Sequence, residues 1–150
     1  MRVEVLRLGP DDWARFRAVR QASLRTDPAA FAASAHRWVD EHDQEPRWRA
    51  RLHDAETFVA AVDGLDVGTA GLSSDGELLG MWVDPGVRGR GVGRALVAAV
   101  RDAAGGSGTT LRVMADNGPA VRFYEGSGFV LTGTDPDAEG CLTMVARVSG

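Results

Sequence analysis

Arg88-Gly-Arg-Gly-Val-Gly-Arg94 sets three glycines at alternate positions among three arginines. Gly89, Gly91 and Gly93 carry no Cβ, so the backbone can bend sharply there and let an anion come close. The first N–H groups of a helix have no partner within it, and with the helix dipole behind them they form an anion site. Arg88, Arg90 and Arg94 add guanidinium forks that match phosphate oxygens. An apolar run, Leu78 to Val83, leads into this stretch, and an amphipathic pattern, Val92 to Ala104, leaves it. The pattern describes a pyrophosphate cradle between a strand and a helix, or else a glycine-rich turn with solvated arginines. A Walker loop is excluded, because it needs a lysine and the chain has none. A dinucleotide fingerprint is disfavoured: Arg94 and Leu96 stand where its third glycine would fall.

A second stretch narrows the choice. Arg88-Gly-Arg-Gly-Val-Gly93 matches Arg/Gln-x-x-Gly-x-Gly/Ala, and Asn117-Gly-Pro-Ala-Val-Arg-Phe-Tyr-Glu-Gly-Ser-Gly-Phe129 matches Asn-x-x-Ala-x-x-Phe-Tyr-x-x-x-Gly-Phe without a gap. In this order and separation the two motifs resemble the GNAT (GCN5-related) N-acetyltransferases. The resemblance runs from about Glu77 to Phe129, and Thr26-Asp-Pro-Ala-Ala-Phe-Ala-Ala-Ser34 resembles the link between that family's first two helices.

The resemblance implies acetyl-CoA as cosubstrate, a primary amine as acceptor, direct attack in a ternary complex and no metal. It puts the pyrophosphate on the amides of Gly89, Arg90, Gly91, Val92, Gly93 and Arg94, with Arg88 beside them. The pantetheine arm would pair with the open edge of Met81, Trp82 and Val83, and Asn117, Ala120 and Phe123 would line its path. Tyr124, the single tyrosine, falls where the family's general acid lies; on spacing alone it is equally a core aromatic beside Phe123. Glu77 stands where some members keep a general base, or is a solvated carboxylate at a strand start. Asn117 is also a helix cap, and the two roles are compatible. For the acceptor the resemblance points to Phe31, Ser34 and Trp38, with Trp13, Arg17 and His36 nearby. Asp40, Glu41, Asp43 and Glu45 either draw in a cationic amine or form a solvated face. Similar proteins are commonly dimers, and the sequence leaves open whether this chain forms a homodimer.

These residues need elements to hold them. Val3 to Leu8 alternates like a half-exposed strand. Asp11 or Asp12 can cap a helix carrying Trp13, Phe16, Val19 and Leu24, which Asp27-Pro28 ends. His36 to Asp54 reads as a less regular helix with Pro46 near a break or a restart. Thr57–Val62 and Val67–Ser73 form a hairpin about Asp63-Gly64. Glu77–Val83 feeds the cradle, and Gly80 within it signals a bulge or a close approach. Thr109–Met114, a short helix from Asn117 to Glu125, and strands Phe129–Thr132 and Cys141–Val148 complete the order β-α-α-β-β-β-α-β-α-β-β. That is an α/β chain with a mixed sheet, helices on both faces and, by the resemblance, a splayed central strand pair.

At 150 residues the chain is expected to be one domain, 1–150. The net charge of -4 argues against a general nucleic-acid binder. The lone Cys141 sits in an apolar run and cannot form an internal disulfide, which suits a reducing cytoplasm and an inert buried thiol. Nothing approaches the roughly 20 apolar residues that span a bilayer, and the N-terminus does not read as a signal peptide. His36, His42 and His53 show no metal-ligand spacing. Two other readings remain: an acyl-CoA-binding module without turnover, and a nucleotide-binding oxidoreductase using Asp116, against which the Phe123-Tyr124 half-site argues.

Overall fold

The computed structural model describes residues 1–29, 31, 35–133 and 135–147. Its elements follow the expected order: β1 (Val3–Leu8), α1 (Trp13–Thr26), α2 (Glu45–Asp54), β2 (Ala55–Val62), β3 (Leu65–Ser73), β4 (Glu77–Val83), α3 (Val92–Ala104), β5 (Thr110–Met114), α4 (Gly118–Gly126), β6 (Phe129–Leu131) and β7 (Cys141–Ala146). The strands form one mixed sheet in the order β1-β2-β3-β4-β5-β7-β6. Helices cover both faces. Leu96, Val97 and Val100 of α3 pack with Ala70, Leu111 and Met144 on one face. Phe16, Trp48, Leu52 and Val59 form a second core on the other.

The splay lies at the centre of the sheet. β4 and β5 are parallel and pair only at Glu77↔Thr110 and Leu78↔Leu111. β4 then follows β3, while β5 continues with β7 through Met114↔Cys141. Beyond Leu78 one edge of β4 is therefore left open, and its amides and carbonyls there need another partner.

A bulge controls what that edge presents. Between Thr69↔Trp82 and Gly71↔Leu79, β4 holds one residue more than β3. Gly80 sits there at φ +56, where a side chain would be strained. One extra residue reverses the in–out alternation. Leu78 accordingly enters the α3-side core, while Trp82, four residues on, enters the α1-side core. Met81 is thereby turned toward α3. Gly80 also meets the close approach expected of it: a Cβ there would lie 3.2 Å from Nη1 of Arg20.

The region before β2 departs from the single irregular helix expected over residues 36–54. Two 3-10 turns, Ala35–Trp38 and Asp40–His42, precede α2. Asp40 takes φ +55, which no α-helix accommodates, and Pro46 belongs to the first turn of α2, where a missing N–H does no harm. Asp12 caps differently too: a 3-10 turn, Pro10–Asp12, comes first, and its carboxylate accepts from Gly9 N–H at 2.9 Å. β7 ends at Ala146, and Val148 lies outside the described residues.

α1 and α2 are tied together at Asp43. The Arg17 fork donates to its two oxygens at 2.8 and 2.6 Å, and Trp48 Nε1 donates at 2.8 Å. The Arg17 guanidinium, then the indole N–H, hold this carboxyl well below the usual carboxylate range. A lowered folded-state pKa stabilises the fold above the unfolded carboxylate value, about 3.9, and the stabilisation fades as pH falls below it toward the folded value. Asp43→Asn is therefore expected to melt below the parent at neutral pH, with the gap narrowing as pH falls below about 4. Thermal unfolding across that range checks this; a gap independent of pH would remove the carboxylate's charge from the account.

Candidate active site

Two cavities meet in the splay. The first, about 380 Å³, lies between β4, the start of α3 and α4. Met81, Trp82 and Val83 line it from the open edge, and Arg88, Gly89, Val92 and Gly93 from the cradle. Asn117, Ala120, Phe123 and Tyr124 close it from α4, and Phe31 from beyond α1. The second, about 230 Å³, lies toward the start of the splay and carries Glu77. Both cavities share Phe31, Met81, Asn117, Ala120 and Tyr124, so they adjoin across Tyr124.

The cradle is built as its glycines require. Gly89 and Gly91 take φ +79 and +87, with Gly91 capping α3 in the left-handed region. Among the described residues, no hydrogen bond uses the backbone N–H of Arg88, Gly89, Arg90 or Gly91. Gly93 serves close packing instead: a Cβ there would stand 2.9 Å from Phe123 Cζ and 3.3 Å from Met81 Cε. Its absence lets α3 and α4 face one another across the cavity. Arg90, Gly91 and Arg94 are exposed and line neither cavity.

Arg88 reaches across the mouth. Its Nε donates to the Val83 carbonyl at 2.8 Å, and its Nη2 to Asp27 Oδ2 at 2.6 Å. The same Asp27 oxygen accepts from Trp82 Nε1 at 3.0 Å. Asp27 thus does more than end α1: it ties that helix to β4 and the cradle.

Tyr124 is 7% exposed and packs edge-on against Phe123 and Phe129, at 5.3 and 5.8 Å. Among the described residues its hydroxyl has no hydrogen-bond partner. Burial pushes its pKa well above the ordinary phenol value, so it stays protonated and is available as a donor. Glu77 is half-buried, and its backbone N–H is held by Ser73 Oγ at 3.0 Å. Asn117 does cap α4, its Oδ1 accepting from Ala120 N–H at 3.2 Å.

On the acceptor side the outcome is mixed. Phe31 is buried and lines both cavities. Ser34 lies outside the described residues. Trp38 lines neither cavity: its ring is 4.7 Å from Trp48 and 6.4 Å from Phe16, with Arg47 over it at 5.0 Å. The acidic run does not face the site either, since Asp43 is taken by Arg17 and Trp48 and Glu45 by Arg49 at 3.0 Å. Sequence reasoning missed Arg20, Arg37, Arg112 and Glu139, all on the second cavity. Arg20 left one signal, because it lies four residues after Phe16 on the apolar stripe of α1.

The sequence profile of the acetyltransferase (GNAT) family matches residues 16–129. The chain belongs to this family. Solved GNAT structures share its fold along nearly the whole length. PaiA N-acetyltransferase from Thermoplasma acidophilum, in complex with coenzyme A, aligns with a TM-score of 0.79 at 18% identity, covering 99% of this chain and 100% of that one. A GCN5-related N-acetyltransferase from Rhodopseudomonas palustris aligns at 0.76 and 25% identity, covering 99% and 97%. YncA of Salmonella typhimurium, a putative acetyltransferase with its cofactor acetyl-CoA, aligns at 0.71 and 20%, covering 100% and 96%. An uncharacterised protein of Mycobacterium leprae is 39% identical over 109 residues, which cover 63% of this chain and 30% of that protein. The chain thus spans less than a third of that relative's length.

Proposed function

We propose that this GNAT chain transfers an acetyl group from acetyl-CoA to a primary amine within a ternary complex. The observation that carries the reading is the pair of cavities adjoining across Tyr124, one bearing the cradle and the other Glu77. The first has the features a phosphorylated thioester needs: left-handed glycines at a helix start, amides with no partner among the described residues and an open strand edge. The second gives an amine its own approach.

In the reaction the amine nitrogen attacks the thioester carbonyl carbon, a C–N bond forms and the C–S bond breaks. The amine must first shed a proton, and Glu77 accepts it directly or through water. Tyr124 donates to the departing sulfur. The second proton lost by the nitrogen restores the phenol, so an ammonium and a thioester give an amide, a thiol and one proton. Arg88 exchanges Asp27 for a phosphate oxygen, and the amides from Gly89 to Arg94 take the pyrophosphate.

Calorimetric titration tests the reading. Acetyl-CoA is expected to bind with micromolar affinity, while NADH and ATP do not compete at similar concentrations. Arg88→Ala weakens binding about tenfold: a charged hydrogen bond is worth roughly 1.5–3 kcal/mol, less the cost of leaving Asp27. Absence of acetyl-CoA binding by the parent protein would overturn the proposal.

A further inference from the structure

The second cavity has a charge pattern that the chemistry above does not use. Its charged lining is Arg20, Arg37, Arg112, Glu77 and Glu139. Arg112 and Glu139 neutralise one another at 3.0 Å, and Asp137 adds a second contact to Arg112 at 2.7 Å. Glu77 on β4 shares the cavity lining with two further guanidiniums, Arg20 from α1 and Arg37 from the turn that follows it. Arg20 is 5% exposed and lies 4.7 Å over the Phe31 ring. Burial, with Arg51's charge as a lesser cause, lowers its pKa to about 10, which still leaves it a cation at neutral pH. Arg37 is exposed and, among the described residues, forms no ion pair. The cavity therefore has a cationic wall, an anionic point at Glu77 and a volume of about 230 Å³, below the roughly 300 Å³ at which pockets for drug-sized ligands begin.

We infer that the acceptor is a small amine bearing a carboxylate, as an amino acid does, with Arg37 reading the carboxylate and Glu77 facing the amine. A guanidinium fork matches a carboxylate in geometry as well as charge. Arg20 supplies a fixed positive charge at the same wall and, being buried, cannot swing out to solvent. A polyamine would set its second ammonium against that wall, and a carboxamide isostere would forfeit the charge. The inference rests on the acetyl-transfer reading and names the substrate class for it.

The experiment is an acceptor panel with the purified full chain and acetyl-CoA, following release of the coenzyme thiol. The panel pairs free amino acids with their α-carboxamides and adds spermidine and an aminoglycoside. At least one free amino acid is expected to exceed its carboxamide by tenfold or more in kcat/KM, and spermidine by a similar factor. Arg37→Gln, a surface change that leaves the core intact, then collapses the acid-to-amide ratio toward one through the KM of the acid, and Arg37→Glu lowers acid turnover further. Carboxamides or spermidine used as well as the acids, or a ratio untouched by Arg37→Gln, would overturn the inference. So would a protein that binds acetyl-CoA by calorimetry but acetylates no amino acid, and in that case cofactor recognition survives. A protein that does not bind acetyl-CoA removes the transfer reading itself.

Discussion

Tyr124→Phe is expected to lower kcat by roughly a hundred- to a thousand-fold, the range for removal of a general acid, while acetyl-CoA affinity stays within about twofold of the parent. The ring fills space between Phe123 and Phe129, and phenylalanine fills it equally well. Only the hydroxyl is lost, and among the described residues it bonds to nothing in the protein. Folding thus loses little and transfer loses its donor. Burial raises the phenol's pKa, so ionisation of Tyr124 does not limit the rate on the alkaline side up to its ordinary value of about 10. A high pKa makes a reluctant acid in water. In the proposed transfer the thiolate leaves beside Tyr124, where loss of water raises the basicity of the sulfur as well. Steady-state kinetics beside calorimetry decide the matter. A kcat within threefold of the parent would return Tyr124 to the role of a core aromatic.

Trp48→Ala is expected to destabilise the protein by about 3–5 kcal/mol, the usual cost of emptying a buried aromatic site. Trp48 has no exposed surface. It packs edge-on to Phe16 at 5.7 Å and against Trp38 at 4.7 Å, and its indole N–H is one of the groups held by Asp43. Truncation leaves a void too well walled to collapse and takes a donor from a carboxylate that remains half-enclosed. Trp48→Phe should lose much less, since most of the ring contact survives. Urea unfolding of the three proteins, with m-values compared to confirm two-state behaviour, reads the difference. A loss below about 1 kcal/mol for Trp48→Ala would mean that α2 is held chiefly by its ion pairs rather than by this core.

These two residues were unequally visible in the chain. Tyr124 stood in a spaced motif whose positions are all local, so a short helix carries them into place together. Trp48 stood in a charge-dense segment that read as an irregular helix. Its partners Phe16 and Trp38 are 32 and 10 residues away in the sequence, and no period links them. The acceptor side failed for the same reason. Phe31 met the cavities, but Trp38 turned to the aromatic core, and Asp43 and Glu45 of the acidic run became the partners of Arg17, Trp48 and Arg49. Arg37 and Arg112, 75 residues apart, meet on one cavity only because the 3-10 turn Ala35–Trp38 and β5 flank the same splay.

By itself the amino-acid order determined what depends on neighbours within a turn or a strand. That includes the alternation of β1, the left-handed glycines of the cradle, the cap at Asn117, the bulge signalled by Gly80 and the order of elements. Tertiary structure alone decided where β4 leaves β5, which face Trp82 takes after the bulge, that Asp27 holds Arg88, and that arginines from three segments line the cavity that carries Glu77. The physical reason is range. Backbone torsions and capping bonds are settled within about four residues. Burial and charge pairing are settled by whichever distant side chains close packing brings into contact.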